Sequence, residues 1–328
     1  LASSSNGSIL RFRIDGLLER WQICTFERSA RPTYQHCNEK ELMRPPFGPY
    51  LFDDLFGLSF LTVRWYGVII VSGALLAGML AARRARARQT DPEHVWNQLL
   101  LGMVLGIICA RIYYVAFEWP RYAGKPLLEI INPQGGGIAI HGAIVGALIA
   151  VLIYTRRQNL PLLPWLDVCA PTLLVGQAIG RWGNFFNQEA YGRPTRLPWG
   201  LDISPDHRIP PYDNLAQFPP STRFHPTFLY EAIWDAGALL IILWIERRMR
   251  VRLRSGDSAL LYGVLYSAGR FFTEGLRTDS LCVGVYTLDG SCAGGLRVAQ
   301  LVSLTGLVIC GLVLAWRHRP AHGALAQR

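Results

Sequence analysis

The chain has 328 residues, of which 51% are hydrophobic and only 17% charged, with a formal net charge of +10. Soluble domains usually carry about 25% charged residues, and the apolar residues here gather into long runs, which excludes an ordinary soluble fold. The positive charge clusters at the ends of those runs, where arginine faces anionic lipid headgroups rather than nucleic acid.

Residues 1–42 are polar, carry Cys24 and Cys37, and lack the basic-then-apolar pattern of a signal peptide. They show no periodicity that would bury a core. They are expected to be an atypical extension, disordered or outside the functional start, with Met43 as the functional initiator. A short amphipathic lead then enters the first apolar run, Trp65–Ala82. Val95–Phe117 (interrupted only by Arg111), Ile138–Thr155, Pro226–Ile245 and Val298–Trp316 are the other clear runs. Runs of roughly 18 or more apolar residues span a ~30 Å hydrocarbon core. Leu160–Gly180 and Ser258–Arg277 contain charges and are predicted as spans because the topology requires them. The expected fold is an all-α polytopic membrane protein with seven transmembrane helices in 43–319, followed by a tail over 320–328. Between helices 4 and 5, residues 185–225 are rich in Pro, Asp and Asn and too few for a large core. They are expected to form a small head over the outer helix ends.

Orientation follows from arginine in short loops. Arg83, Arg84, Arg86 and Arg88 follow the first span, and Arg156 and Arg157 the third. Arg247, Arg248, Arg250, Arg252 and Arg254 follow the fifth, and Arg317 and Arg319 the seventh. Every second loop is basic, which places these loops and the C-terminus in the cytoplasm and the start of the first span outside. Cys109, Cys169 and Cys310 lie in spans as small hydrophobes. Cys282 and Cys292 share an outside loop, where a disulfide is permitted. No CxxC or His/Cys cluster suggests a metal.

Ionisable residues within spans are costly and mark functional sites. Here they sit mostly in the outer halves. Arg64 and Tyr66 lie in "TVRWYG", and His141 in "GGGIAIHGA", where Gly135, Gly136, Gly137 and Gly142 permit close backbone approach. Arg181 and Asn184 end the fourth span. Glu231 and Asp235 share one face of the fifth, and Tyr266, Arg270, Glu274 and Arg277 form a stripe on the sixth. Each also has a purely structural reading. Arg64 and Arg111 suit snorkelling to an interface. His141 suits a backbone hydrogen bond, Arg270–Glu274 an ion pair, and Glu231 and Asp235 partnership with nearby arginines. Taken together, two arginines, a histidine, tyrosines and amides at one membrane boundary suit an anionic lipid headgroup, because arginine's planar fork matches phosphate.

"RWYG", "GGGIAIHGA", "GRWGNFFNQEAYG", "HPTFLYE" and "YSAGRFFTEGLR" occur in an order and spacing that resemble bacterial prolipoprotein diacylglyceryl transferases, over roughly residues 44–318. Residues 1–42 and the length of the Cys282–Cys292 loop depart from that pattern. The resemblance implies a seven-helix body in the bacterial inner membrane, a small periplasmic head and an outside N-terminus. It implies transfer of the diacylglyceryl group from phosphatidylglycerol to the lipobox cysteine of a prolipoprotein signal peptide. A thioether forms and glycerol phosphate leaves, without metal or cofactor. Arg181 and Arg270 match the family's phosphate-contacting positions. His141, or a tyrosine such as Tyr66 or Tyr266, suits proton removal from the thiol. Asn184, Glu189, Gly192, Tyr266, Glu274 and Arg277 match motif positions that orient the arginines and the headgroup. Two rivals are a transporter with the same buried charges, for which no repeat with broken helices is visible, and an enzyme that cleaves the other side of the phosphate.

Overall fold

The computed structural model describes residues 43–46, 48, 50–52, 63–132, 136–282, 295 and 297–319. The extension 1–42, the tail 320–328, Gly135 and Cys292 lie outside the described residues. A short antiparallel pair, β1 (Tyr50–Phe52) and β2 (Val63–Arg64), leads into the helices. These are α1 (Trp65–Ala87), α2 (Glu93–Phe117), the short α3 (Trp119–Tyr122) and α4 (Leu127–Ile131), α5 (Ile140–Arg157), α6 (Leu162–Asn187), α7 (Thr227–Arg248), α8 (Asp257–Glu274) and α9 (Val298–Arg317).

Six of them, α1, α2, α5, α6, α7 and α9, are long and apolar enough to cross a membrane. Large apolar side chains along them stay exposed, Ile112 at 62%, Leu240 at 66% and Val302 at 67%. Such exposure is favourable against hydrocarbon and unfavourable against water, so the chain is a multi-pass membrane protein. The expected sixth span, Ser258–Arg277, is a helix too, α8, packed against α7 and α9. Its polar stripe leaves it outside the six that composition alone marks as spanning.

The helices associate mainly as α1 with α6, α2 with α5, α6 with α7, and α8 with α9. Gly142 and Gly146 let α5 lie directly on α2, since a Cβ at either would collide with the carbonyls of Cys109 or Leu105. Near the arginine-rich loops, Arg84 is buried rather than facing lipid. Its two Nη atoms lie 2.7 Å from the two carboxylate oxygens of Glu246, and its Nε donates to Val168 O at 3.1 Å. Asp167 on α6 accepts the Gly256 and Ala259 N–H groups at 2.6 and 3.0 Å, capping the start of α8. One end of the body is thereby locked across α1, α6, α7 and α8.

Between α6 and α7, strands β3 (Pro194–Thr195), β4 (Leu201–Asp202) and β5 (Arg223–Phe224) form an antiparallel sheet in the order β3-β5-β4. Tyr191, Leu201, Ile203 and Phe224 pack with Phe185 and Phe228 from the adjoining helix ends, and Met43 joins this cluster. Burial pushes the Tyr191 phenol up to about 12. The buried Arg208 guanidinium closes the loop by donating to the carbonyls of Ile203, Phe218, Pro219 and Pro220 at 2.9–3.1 Å.

Three expectations change. Arg111 does not snorkel. It is 7% exposed and donates to the carbonyls of Ile130, Gly136, Gly137 and Glu129 at 2.8–3.0 Å, with its guanidinium 5.0 Å from the Tyr122 ring centroid. Four carbonyls freed by an irregular connection satisfy the buried cation better than a reach to water would. Second, α6 continues past Gly180 to Asn187, carrying Arg181 and Asn184 within the helix. Third, His141 is exposed at the second residue of α5 rather than well inside an apolar span, the helix beginning only at Ile140 after Gly136 and Gly137 adopt φ of +86° and +80°. Cys109, Cys169 and Cys310 are free thiols, whereas Cys282 is disulfide-bonded.

Candidate active site

Glu231, 5% exposed near the start of α7, organises the charged cluster. Arg270 on α8 donates from Nη1 to Glu231 Oε1 at 2.7 Å, and Thr273 Oγ1 donates to the same oxygen at 3.0 Å. Arg181 on α6 places Nε 2.7 Å from Glu231 Oε2, an ion pair without hydrogen-bond alignment. Arg270 Nη2 lies 2.7 Å from Glu274 Oε2, one turn further along α8. The four-residue spacing that sets 266, 270 and 274 on one stripe thus aims one arginine at two carboxylates. Arg277 binds Asp279 through two hydrogen bonds of 2.9 and 2.6 Å and stands 3.9 Å from Glu231. Burial alone would lower the Arg277 guanidinium, but Asp279 together with Glu231 and Glu274 outweighs it and holds the group above its ordinary range.

Arg181, Glu231, Asp235, Tyr266, Arg270 and Trp234 line one small cavity. Tyr266 is held by stacking on Tyr262, with centroids 5.7 Å apart and planes 9° from parallel. The Tyr262 hydroxyl accepts from Gln177 at 3.0 Å. Tyr66, the second residue of α1, enters from another side. Its ring occupies the space a side chain at Gly183 would fill, and its hydroxyl lies in the fields of Glu189 and Arg181.

The loop after α6 is shaped by left-handed residues. Gln188 and Ala190 adopt φ of +53° and +57°, although neither is glycine. The turn is tied by Glu189, whose Oε1 accepts from Asn184 at 3.0 Å and from Asn187 at 3.3 Å. Gln188 Oε1 accepts the Ser204 N–H at 2.8 Å, fastening the loop to the small sheet. Gly192 forms a backbone bridge with Arg277 and donates its N–H to His225 O at 2.9 Å. A side chain there would press on His225, so Gly192 sets the position of Arg277 through the backbone. Burial lowers the affinity of the His225 ring for a proton.

The structure therefore brings together Tyr66, Arg181, Asn184, Glu189, Gly192, Tyr266, Arg270, Glu274 and Arg277. It does not bring His141 to them. His141 stacks on Tyr113 of α2 at 5.8 Å, and no hydrogen bond, ion pair or ring contact joins it to the arginine cluster among the described residues. The sequence reading also passed over Trp234 and Thr273. Trp234 lies on the α7 face between Glu231 and Asp235, and that position was its one available signal. No group of three or more His, Cys, Asp or Glu side chains able to hold a metal ion occurs among the described residues.

A multi-pass helical body with a buried arginine–carboxylate cluster at one set of helix ends defines a polytopic all-α membrane protein with its polar groups gathered at one place. The sequence profile of the family described as prolipoprotein diacylglyceryl transferase matches residues 53–317, and the chain belongs to that family. It is 56% identical over 286 residues to the phosphatidylglycerol–prolipoprotein diacylglyceryl transferase of Chloroflexus aggregans, covering 85% of this chain and 92% of the relative. Relatives of the same name from Gloeobacter violaceus and Synechococcus elongatus are 47% and 45% identical. Each match covers 78% of this chain, with 89% and 84% of the respective relative.

Proposed function

We propose that this protein transfers the diacylglyceryl group of phosphatidylglycerol to the lipobox cysteine of a prolipoprotein, forming a thioether and releasing glycerol phosphate. The convergence of Arg181 and Arg270 on one buried carboxylate carries this reading. Glu231 fixes both guanidiniums, Arg270 through a hydrogen bond and Arg181 through an ion pair, each at 2.7 Å. Two preorganised arginines stabilise charge gathering on a departing phosphate. The substrate thiolate attacks the glyceryl carbon bonded to the phosphate ester oxygen. The carbon–oxygen bond breaks, and glycerol phosphate leaves with the electron pair.

The thiol has a pKa of ~8.5 and must lose a proton first. In such a displacement the nucleophile approaches opposite the leaving group. Tyr66 and Tyr266 stand with the arginines on the phosphate side, whereas His141 stands on the separate α2–α5 pair. That arrangement suits His141 as proton acceptor, with the lipid lying between the two helix groups.

The protein crosses the bacterial inner membrane seven times, α8 included, with the β3–β5 head in the periplasm and the C-terminus in the cytoplasm. The alternation of arginine-rich loops supports this orientation. Single cysteines at Thr90 and Asn214 test it in intact cells: an impermeant thiol reagent labels Asn214→Cys and spares Thr90→Cys, and the opposite pattern reverses the orientation. The activity is tested with purified protein, phosphatidylglycerol vesicles and a lipobox peptide. A peptide mass increased by one diacylglyceryl group is the expected product. Unmodified peptide, or a product retaining phosphate, overturns the assignment.

A further inference from the structure

Beside the arginine cavity, on the other side of Trp234, an apolar groove of about 420 Å3 runs along α7 from Tyr230 to Ile241, with Leu265 of α8 at its edge. We propose that this groove seats an acyl chain of the lipid substrate, with the Trp234 indole as the wall shared by chain and headgroup sites. The inference rests on the phospholipid reading above and adds where the hydrocarbon lies.

Trp234 lines both the polar cavity and the groove. The indole is fixed between two helices: Nε1 donates to Leu265 O at 2.8 Å, and Gly269 leaves room for the ring. A phosphodiester gripped by Arg181 and Arg270 has its chains attached a few bonds away, so one chain continues past this wall. Gly237 forms part of the groove, and a side chain there would meet nothing within 4 Å. Glycine inside a helix costs about 1 kcal/mol relative to alanine, and no neighbouring atom requires it here. What the missing side chain leaves is the groove.

The occupant is a hydrocarbon rather than a peptide. An extended peptide needs backbone hydrogen-bond partners in an apolar seat, and a helical one, roughly 10–12 Å across, is too wide for this groove. The Tyr230 hydroxyl at the groove's end is already engaged by Trp199 at 3.0 Å and His225 at 3.2 Å. Ile233 and Ile241, 63% and 46% exposed, open the groove to the surroundings of α7, where lipid lies. From residue 230 to 241 a helix rises roughly 16 Å, about half of a ~30 Å hydrocarbon core. That is the depth one chain occupies in one leaflet.

The test fills the groove. Gly237→Phe places a ring in open space, and Ile241→Trp narrows the deep end. Each variant is assayed in detergent micelles with dipalmitoyl and dioctanoyl phosphatidylglycerol and a lipobox peptide. For Gly237→Phe, the ratio of kcat/KM for the long-chain to the short-chain lipid is expected to fall about tenfold, within the range of lost apolar pocket contacts. Ile241→Trp shifts the same ratio in the same direction. An unchanged ratio in both variants, with melting temperatures near that of the parent protein, overturns the groove assignment. A parent protein inactive on both lipids instead overturns the phospholipid reading on which it rests.

Discussion

Arg181 and Arg270, on different helices, meet at the two oxygens of Glu231, each at 2.7 Å. Two like charges are thereby held in one small cavity, which repulsion would otherwise disperse. The carboxylate lies between the two guanidiniums and offsets their mutual repulsion, with Glu274 steadying Arg270 from its own helix.

Replacing Glu231 with Gln removes that shared charge while keeping shape. Arg181 is left partly buried without its ion-pair partner and Arg270 keeps only Glu274, a loss that costs on the order of 3 kcal/mol. Glu231→Gln is expected to melt at a lower temperature in detergent and to lose most transfer activity. Unaltered melting together with full activity would show that the arginines hold their positions without it.

Lysine at either arginine position retains charge but not the planar fork. Arg181→Lys and Arg270→Lys are each expected to lower kcat/KM by about a hundredfold, the scale of one lost oxyanion contact. Turnover close to the parent at equal protein levels would assign the arginines a purely structural ion-pair role.

For His141 the informative variable is pH. His141→Gln is expected to bind phosphatidylglycerol normally and transfer slowly. Activity should recover in part as pH rises toward the thiol pKa of ~8.5, because the substrate then ionises without help. Loss of lipid binding as complete as in Arg270→Ala, or a flat pH response, passes the proton to Tyr66 or Tyr266.

Arg111 is predicted to act on the same step from a distance, by holding the connection that leads into His141. Arg111→Met removes four hydrogen bonds from a charged donor, to the carbonyls of Glu129, Ile130, Gly136 and Gly137, each of which contributes about 1.5–3 kcal/mol. Faster proteolysis within 129–137 and a lower kcat with KM little changed are expected. A protease-resistant connection in a variant of normal kcat would remove Arg111 from this role.

Five spans were legible in the sequence because transfer of a helix into hydrocarbon depends on summed side-chain hydrophobicity, a property that needs no partner, and the other two followed from the alternation of basic loops. The stripe of Tyr266, Arg270 and Glu274 was legible for a similar reason, since helical periodicity fixes which residues share a face. Other assignments depended on what lay opposite. Arg111 read as a snorkelling residue because its four carbonyl partners come from an irregular segment. His141 read as a helix interior because the positive φ of Gly136 and Gly137 is a choice glycine permits but does not announce. Glu231 could be matched to arginines in general, but that one carboxylate would receive both Arg181 and Arg270 emerged only when α6, α7 and α8 were packed together. Trp234 carried no signal beyond its place beside Glu231 and Asp235, since its position as a wall exists only between two spaces that neighbouring helices create. Periodicity and hydrophobicity are carried by a single segment and survive in its sequence. The pairing of charges and the shape of a cavity belong to several segments at once, so only the tertiary structure decided them.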